Sequence, residues 1–429
     1  MSRELIDSGI EWIGKYPSNW SLERLQWHLE EIKESNNPIK TTNVLSLTNK
    51  LGVIPYEEKG EQGNRSKENL EEYKLAYSNT IVANSMNILI GSVGLSRYYG
   101  CVSPVYYVFK AKERNNIEFI NYLFQTQQFQ KELRRYANGI LEIRLRVSSD
   151  KILKCYVPFP NVEEQNKIVN ELNRKIEKID LLITNQEKQI DRLKDQKKAI
   201  ISNSVTKGIY KNVIMKESNI NWIGCLPKNW NIFPIKTIAK TSSGGTPSSS
   251  KIEFYNGNIN WACSYDLKEN VIEETKMKLT EKGASVIAGE LQRPGTILIA
   301  MYGGGGTIGN SGRLECFSMT NQAICSIDFN RDLIDPKFAH YYIRFIRPFW
   351  MIYAVGTRKD PNISQGIVNK MPFICPPIIE QKQIVSFLDK KCAFIDSLII
   401  IKQKKIEKLQ EYKKSLIYEY TTGKKEVSL

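Results

Sequence analysis

Histidine is nearly missing from this chain of 429 residues: His28 and His340 are the only imidazoles. General-base chemistry and His-rich metal sites have almost nothing to draw on. The eight cysteines, at positions 101, 155, 225, 263, 316, 325, 375 and 392, are scattered with no Cys-x-x-Cys spacing, so free, mostly buried thiols are expected rather than structural zinc. Apolar runs such as Leu398 to Ile401 are far too short to span a bilayer, and the opening MSRELIDSGIEWIG has no apolar core of a signal peptide. The expectations are therefore no membrane partner and a cytoplasmic location. Catalytic signatures are missing too: there is no Asn-Pro-Pro-Tyr type motif of amino-group methylation, no Walker lysine, no His-Glu-x-x-His, and no Ser or Cys with a histidine elbow. Only the loosely spaced carboxylate sets of metal-dependent nucleases escape this exclusion. The chain is expected to be no enzyme and to hold no metal or cofactor of its own.

What the chain does have is one apolar seam, twice. From Pro160 to Gly208, Val169, Ile176, Ile183, Ile190 and Lys197 fall at heptad position a, and Leu172, Ile179, Gln186, Leu193 and Ile200 at d, with charges on the other faces. From Pro376 onward the pattern returns at an offset of 216 residues. Val385, Cys392, Ile399, Ile406 and Lys413 then occupy a, and Leu388, Ile395, Lys402, Leu409 and Leu416 occupy d. A helix from Glu163 to Thr206 is on the order of 66 Å long at 1.5 Å per residue, longer than one DNA turn of about 35 Å. Pairing two such helices in one chain is simplest in an antiparallel arrangement with a pseudo-twofold axis. Gln186 and Lys402 are then expected to meet near the middle.

A second repeat precedes each helix. Ile10–Trp20, IEWIGKYPSNW, returns as INWIGCLPKNW at Ile220–Trp230. A period near 210 residues is a duplicated domain rather than a solenoid. The expected order is an opening segment (1–20), a globular insert (21–158), a long helix (159–208), a second opening segment (209–230), a second insert (231–375) and a second helix (376–429). The Trp-Gly-Pro-Trp turns read as packing devices.

Both inserts read as α/β (α+β). The first has strands over Ile81–Asn84 and Val105–Lys110 and a helix over Ile117–Tyr136; the second has strands over Thr296–Met301 and Ala323–Ile327 and a helix from Pro336 to about Tyr353. Each carries a glycine loop, IGSVG at Ile90–Gly94 and GGGGTIGNSG at Gly303–Gly312, with no Lys-Ser or Lys-Thr after it, so neither is a nucleotide-binding P-loop. Such loops serve either as tight turns or for close approach to phosphate.

The net charge of +15 makes nucleic acid a reasonable partner. Ser92, Arg97 and Tyr98 near the first loop, and Thr307, Asn310 and Arg313 in and just after the second, have side chains suited to phosphate or base-edge contact; Asn84, Asn87 and Asn321 suit adenine. The cationic excess sits in matched windows. Arg134, Arg135, Arg144 and Arg146 in one insert, and Arg347, Arg358 and Lys359 in the other, follow a helix and flank a glycine turn. That recurrence in two different sequences favours a phosphate-gripping edge over a solvated rim.

With two Trp-Ile-Gly segments, two Pro-x-x-x-Glu-Gln-x-x-Ile helix starts at Pro160 and Pro376, and helix ends at Val205-Thr206-Lys207-Gly208 and Thr421-Thr422-Gly423-Lys424, the whole chain resembles a specificity subunit of a type I restriction-modification system. Ser243–Leu267 and Ile81–Phe109 are similar to two varieties of that family's target-recognition domains. One departure is Thr-Lys-Gly at the end of the first helix where the family favours Thr-Gly-Lys. The resemblance implies a non-catalytic subunit binding double-stranded DNA. Each insert reads one half of a split, asymmetric site, and the paired helices act as spacer. It also implies two methyltransferase subunits and two ATP-driven restriction subunits as partners, with S-adenosylmethionine, ATP and magnesium held by them. The alternatives are a coiled-coil scaffold with protein-binding inserts, and a standalone nuclease or methyltransferase with degenerate motifs.

Overall fold

A computed structural model of the chain describes residues 3–48, 52–59, 69–113, 115–137, 145–302, 306–356 and 361–427. Two long helices, Val162–Lys207 and Ile378–Thr421, carry the seams. No described residue at an a or d position of either helix is exposed. The chain forms two compact units, Met1–Glu187 with Gln403–Leu429, and Lys188–Lys402.

Within the first unit, the Lys175 ammonium donates to the Tyr420 hydroxyl at 3.0 Å and that of Lys413 donates to both Asp180 oxygens at 2.8 Å. In the second, Lys197 donates to both Asp396 oxygens at 2.7 Å and Lys402 to Gln189 Oε1. Numbers rise along one helix as they fall along the other, so the pairing in each unit is antiparallel. The expected meeting of Gln186 with Lys402 needs correction: Lys402 reaches the exposed Gln189, about one helical turn beyond the buried Gln186. A lysine at an apolar position carries its ammonium outward to a polar rim partner rather than leave it in the seam.

In the first unit a four-stranded sheet runs in the order β1 (Leu29–Ile32), β4 (Tyr106–Ala111), β2 (Thr80–Asn84), β3 (Val93–Ser96), all neighbours antiparallel. The second has β5 (Ala239–Ser243), β9 (Ile324–Phe329), β7 (Ile297–Ala300) and β8 (Ser311–Leu314) in the same order, with β6 (Asn270–Ile272) added parallel to β8. Each glycine loop is thus a hairpin connection, β2 to β3 and β7 to β8.

The single helix expected over Ile117–Tyr136 is two, α1 (Ile117–Phe124) and α2 (Gln127–Arg134). Thr126 breaks it by accepting the Phe129 N–H and capping α2. In the second unit α3 (Pro336–Ile346) gives way to a 3₁₀ turn at Arg347–Phe349 before the short helix Trp350–Tyr353. Pro348 lacks the N–H that a continuous helix needs.

The helix starts explain their own motif. Gln165 Oε1 accepts the N–H of Asn116, the cap of α1, while its Nε2 donates to the Pro160 carbonyl; Gln381 does the same with Asp335, the cap of α3, and Pro376. Both glutamines are buried, so their amides are satisfied only in this geometry. Trp12, Trp20 and Trp230 lie in the cores of their own units, Trp12 5.1 Å from the Phe129 ring and Trp20 6.3 Å from that of Phe119.

Both helices end against the second tryptophan of an opening segment. Gly208 (φ +79°) caps the first helix beside Trp230, and Gly423 (φ +71°) follows the second beside Pro17 and Trp20. Thr-Lys-Gly against Thr-Gly-Lys therefore shifts the left-handed glycine by one residue while keeping its neighbour. A Cβ on Gly423 would lie 2.4 Å from Pro17 Cγ, whereas one on Gly9, also left-handed, meets nothing within 4 Å. Gly423→Ala is expected to cost roughly 2–4 kcal/mol and Gly9→Ala about 1 kcal/mol in denaturant unfolding. Equal losses would contradict the packing of this helix end.

Candidate nucleic-acid interface

In the first unit the hairpin loop after β2 is built from its own polar groups. Asn84 is buried; its Oδ1 accepts the Met86 N–H at 3.0 Å, and its N–H donates to the Ser92 carbonyl at 3.0 Å. Gly91 (φ +85°) closes the turn, and the Asn87 side chain is exposed. Ser92 is buried. Beyond β3, Arg97 and Tyr98 are exposed, Arg97 donating to Glu118 at 3.2 Å. Arg134 and Arg135 end α2 and are exposed, Arg135 pairing with Glu132 at 3.3 Å. Arg146 lies over the loop, its Nη2 3.6 Å from Met86 Sδ. Arg144 falls outside the described residues.

The second unit repeats the arrangement with different residues. Gly303–Gly305, Arg358 and Lys359 fall outside the described residues. Gly306 and Gly309 have φ of +83° and +73°, and the Asn310 N–H donates to the Thr307 carbonyl at 2.9 Å. Thr307 is partly exposed. Asn321 forms a turn before β9, its Oδ1 accepting the Ala323 N–H at 3.1 Å. Arg313 lies within β8, buried and ion-paired with Glu315, so its guanidinium is not presented to a phosphate. Arg347 is partly exposed, with Nη1 2.6 Å from Glu269 Oε1 and Nη2 3.1 Å from the Gly306 carbonyl. Nearby, burial and the cations of Arg344 and Arg313 push the His340 pKa down to about 3, so this imidazole stays neutral at physiological pH.

In both units one hydrogen bond joins the end of the basic window to the residue just after the strand that leads into the glycine loop. The Val147 N–H donates to the Ser85 carbonyl at 3.4 Å, and the Ile363 N–H to the Met301 carbonyl at 2.8 Å. Each pair is related by the 216-residue offset of the long helices. The chain at Val147 and at Ile363 is thereby held beside the end of the strand that leads into the glycine loop. Residues 227–411 match the family model of the type I restriction modification DNA specificity domain.

The chain is similar to the specificity subunits of type I restriction-modification systems. Two curated relatives from Methanocaldococcus jannaschii accord with this. The putative type I restriction enzyme MjaX specificity subunit is 25% identical over 321 residues, 72% of this chain and 69% of that one. The MjaVIII specificity subunit is 25% identical over 331 residues, 73% and 72% of the two chains. Among solved structures, one described as "Structural basis underlying complex assembly and conformational transition of the type I R-M system" contains a chain similar in fold. It has a TM-score of 0.72 at 14% identity and covers 95% of this chain and 98% of that one. The HsdS subunit from Thermoanaerobacter tengcongensis has a TM-score of 0.52 at 14% identity, over the same shares. Among the described residues no group of His, Cys, Asp and Glu side chains is arranged to hold a metal ion, and no helix is long and apolar enough to cross a membrane.

Glu269, Trp350 and the two helix-start glutamines organise these surroundings and were not among the residues singled out from sequence. The glutamines had a signal, their repetition in a shared motif. Glu269 had none.

Arg146 and Arg313 separate exposed from structural cations. For the subunit assembled with its methyltransferase, Arg146→Ala is expected to weaken binding to all duplexes and reduce the salt slope by about 0.9. Arg313→Ala should leave the slope unchanged and cost roughly 1–3 kcal/mol in thermal unfolding. Titrations at several salt concentrations and melting curves check both; a reduced slope for Arg313→Ala would reverse the assignment.

Proposed function

We propose that each insert, residues 21–158 and 231–375, is a target-recognition domain reading one half of a bipartite, asymmetric DNA site, and that the paired long helices set the spacing between the halves. The supporting observation is the repeated bond from the end of the basic window to the residue after the strand that leads into the glycine loop, Val147 to Ser85 and Ile363 to Met301. In the first insert the same segment carries Arg146, suited to phosphate, over the loop that holds Asn87, suited to a base edge, and a reader of duplex sequence needs both. Arg146 with Asn87 in the first insert, and the exposed edge of the second loop at Gly306 and Thr307, are the groups we assign to DNA. The inserts differ in sequence on a common strand order, as two readers of different bases should.

The helices are also the proposed dock for two methyltransferase subunits. Two restriction subunits complete the complex for cleavage, in the cytoplasm, with S-adenosylmethionine, ATP and magnesium held by those partners. The subunit itself contributes orientation. Phosphate contacts fix the register on the duplex, and base-edge contacts in the major groove select the sequence.

Exchange of one insert tests this directly. Replacing residues 21–158 by the corresponding insert of a relative, in cells that also hold the methyltransferase partner, should change one half of the methylated sequence and leave the other half and the spacing as they were. Mapping of methylated adenines is the readout. A change in both halves at once ends the modular reading and favours a scaffold whose inserts bind protein.

A further inference from the structure

Glu269 sits immediately before β6 with φ +57°, in the left-handed region that non-glycine residues seldom occupy. Three interactions hold it there. Its N–H donates to the Ser311 carbonyl at 2.7 Å, Oε1 accepts from Arg347 Nη1 at 2.6 Å, and Oε2 lies 3.5 Å from Arg344 Nε. Arg347 in turn donates through Nη2 to the Gly306 carbonyl at 3.1 Å. From the other side the loop rests on Trp350: a Cβ on Gly309 would fall 2.4 Å from Trp350 Cδ1. The loop from Gly306 to Asn310 is therefore gripped at its exposed end by a charge-assisted bond and at its base by a buried indole.

Arg347 belongs to the basic window that the sequence marks for phosphate, yet its guanidinium is already engaged by a carboxylate and a loop carbonyl. Two of its five N–H donors are used in this way, and turning the guanidinium fork fully onto a phosphate would break both bonds. Breaking them for a single surface phosphate contact replaces one charge-assisted pairing by another, with no gain in the number of bonds.

We infer that Glu269 and Arg347 are positioning residues for base recognition by the second insert, acting as a clamp that fixes the glycine loop, so that sequence discrimination depends on them and backbone affinity does not. This rests on the reading of the second insert as the reader of one half-site. A clamp acting through the loop alters which bases are preferred. A phosphate contact alters affinity for every sequence and its dependence on salt.

The test uses the subunit assembled with its methyltransferase, on duplexes carrying the mapped site and on duplexes with single-base changes in each half. Arg347→Ala removes one jaw of the clamp. Glu269→Gly removes the other while leaving a residue that adopts the left-handed conformation freely, so the fold is retained. Each variant is expected to lower discrimination about tenfold, the size of one base contact, in the half-site of the second insert. Discrimination in the other half and the salt slope should stay unchanged, and the double variant should be no worse than either single one. A salt slope reduced by about one with discrimination intact assigns Arg347 to a phosphate and overturns the clamp. Undiminished discrimination, or an equal loss in both halves, overturns it too. Failure of the underlying reading looks different: the wild-type complex itself would show no base preference in the half-site assigned to residues 231–375.

Discussion

The structure depends on keeping the two apolar seams in register. Helices of 46 and 44 residues present mainly apolar a and d positions, and every described residue at those positions is at least partly buried. A slip would carry Lys197, Lys402 and Lys413 away from the Asp396, Gln189 and Asp180 groups that hold their ammonium ions. Lysines at apolar positions cost stability in a pairing helix and repay it in specificity of register. The sheets are tied to that register by Gln165 and Gln381, each joining the first turn of a long helix to the cap of the helix that packs on its sheet.

Much of this was legible because periodicity and repetition are strong signals. The heptads placed both long helices to within a few residues, and the two offsets, 216 for the helices and near 210 for the tryptophan segments, exposed the duplication. Short elements were harder. β3 (Val93–Ser96) and β8 (Ser311–Leu314) are only four residues long and contain glycine and polar residues, so neither was read as a strand from sequence. The break between α1 and α2 hinges on Thr126, a good cap that is also tolerated inside a helix.

Individual side chains were the least legible. Arg313 looked like a free cation, but its role is set by Glu315 two residues on and by burial within β8. Asn84 and Asn321 looked suited to adenine, yet each spends its Oδ1 on a backbone N–H two residues ahead. Asparagine serves both purposes, and only the fold decides which. Glu269 acquires its role from Arg347, 78 positions away, a pairing that no local pattern announces.

If register in the seam governs geometry and the inserts govern sequence, spacing and base preference are separable. One heptad inserted into each long helix, at Ile183 and at Leu409, preserves the a and d phase and adds about 10 Å, or about three base pairs. Methylation mapping of this variant with its methyltransferase partner is the most direct measurement. The prediction is the same two half-sites separated by a spacer about three base pairs longer. An unchanged spacer, or altered bases in either half, would contradict the account.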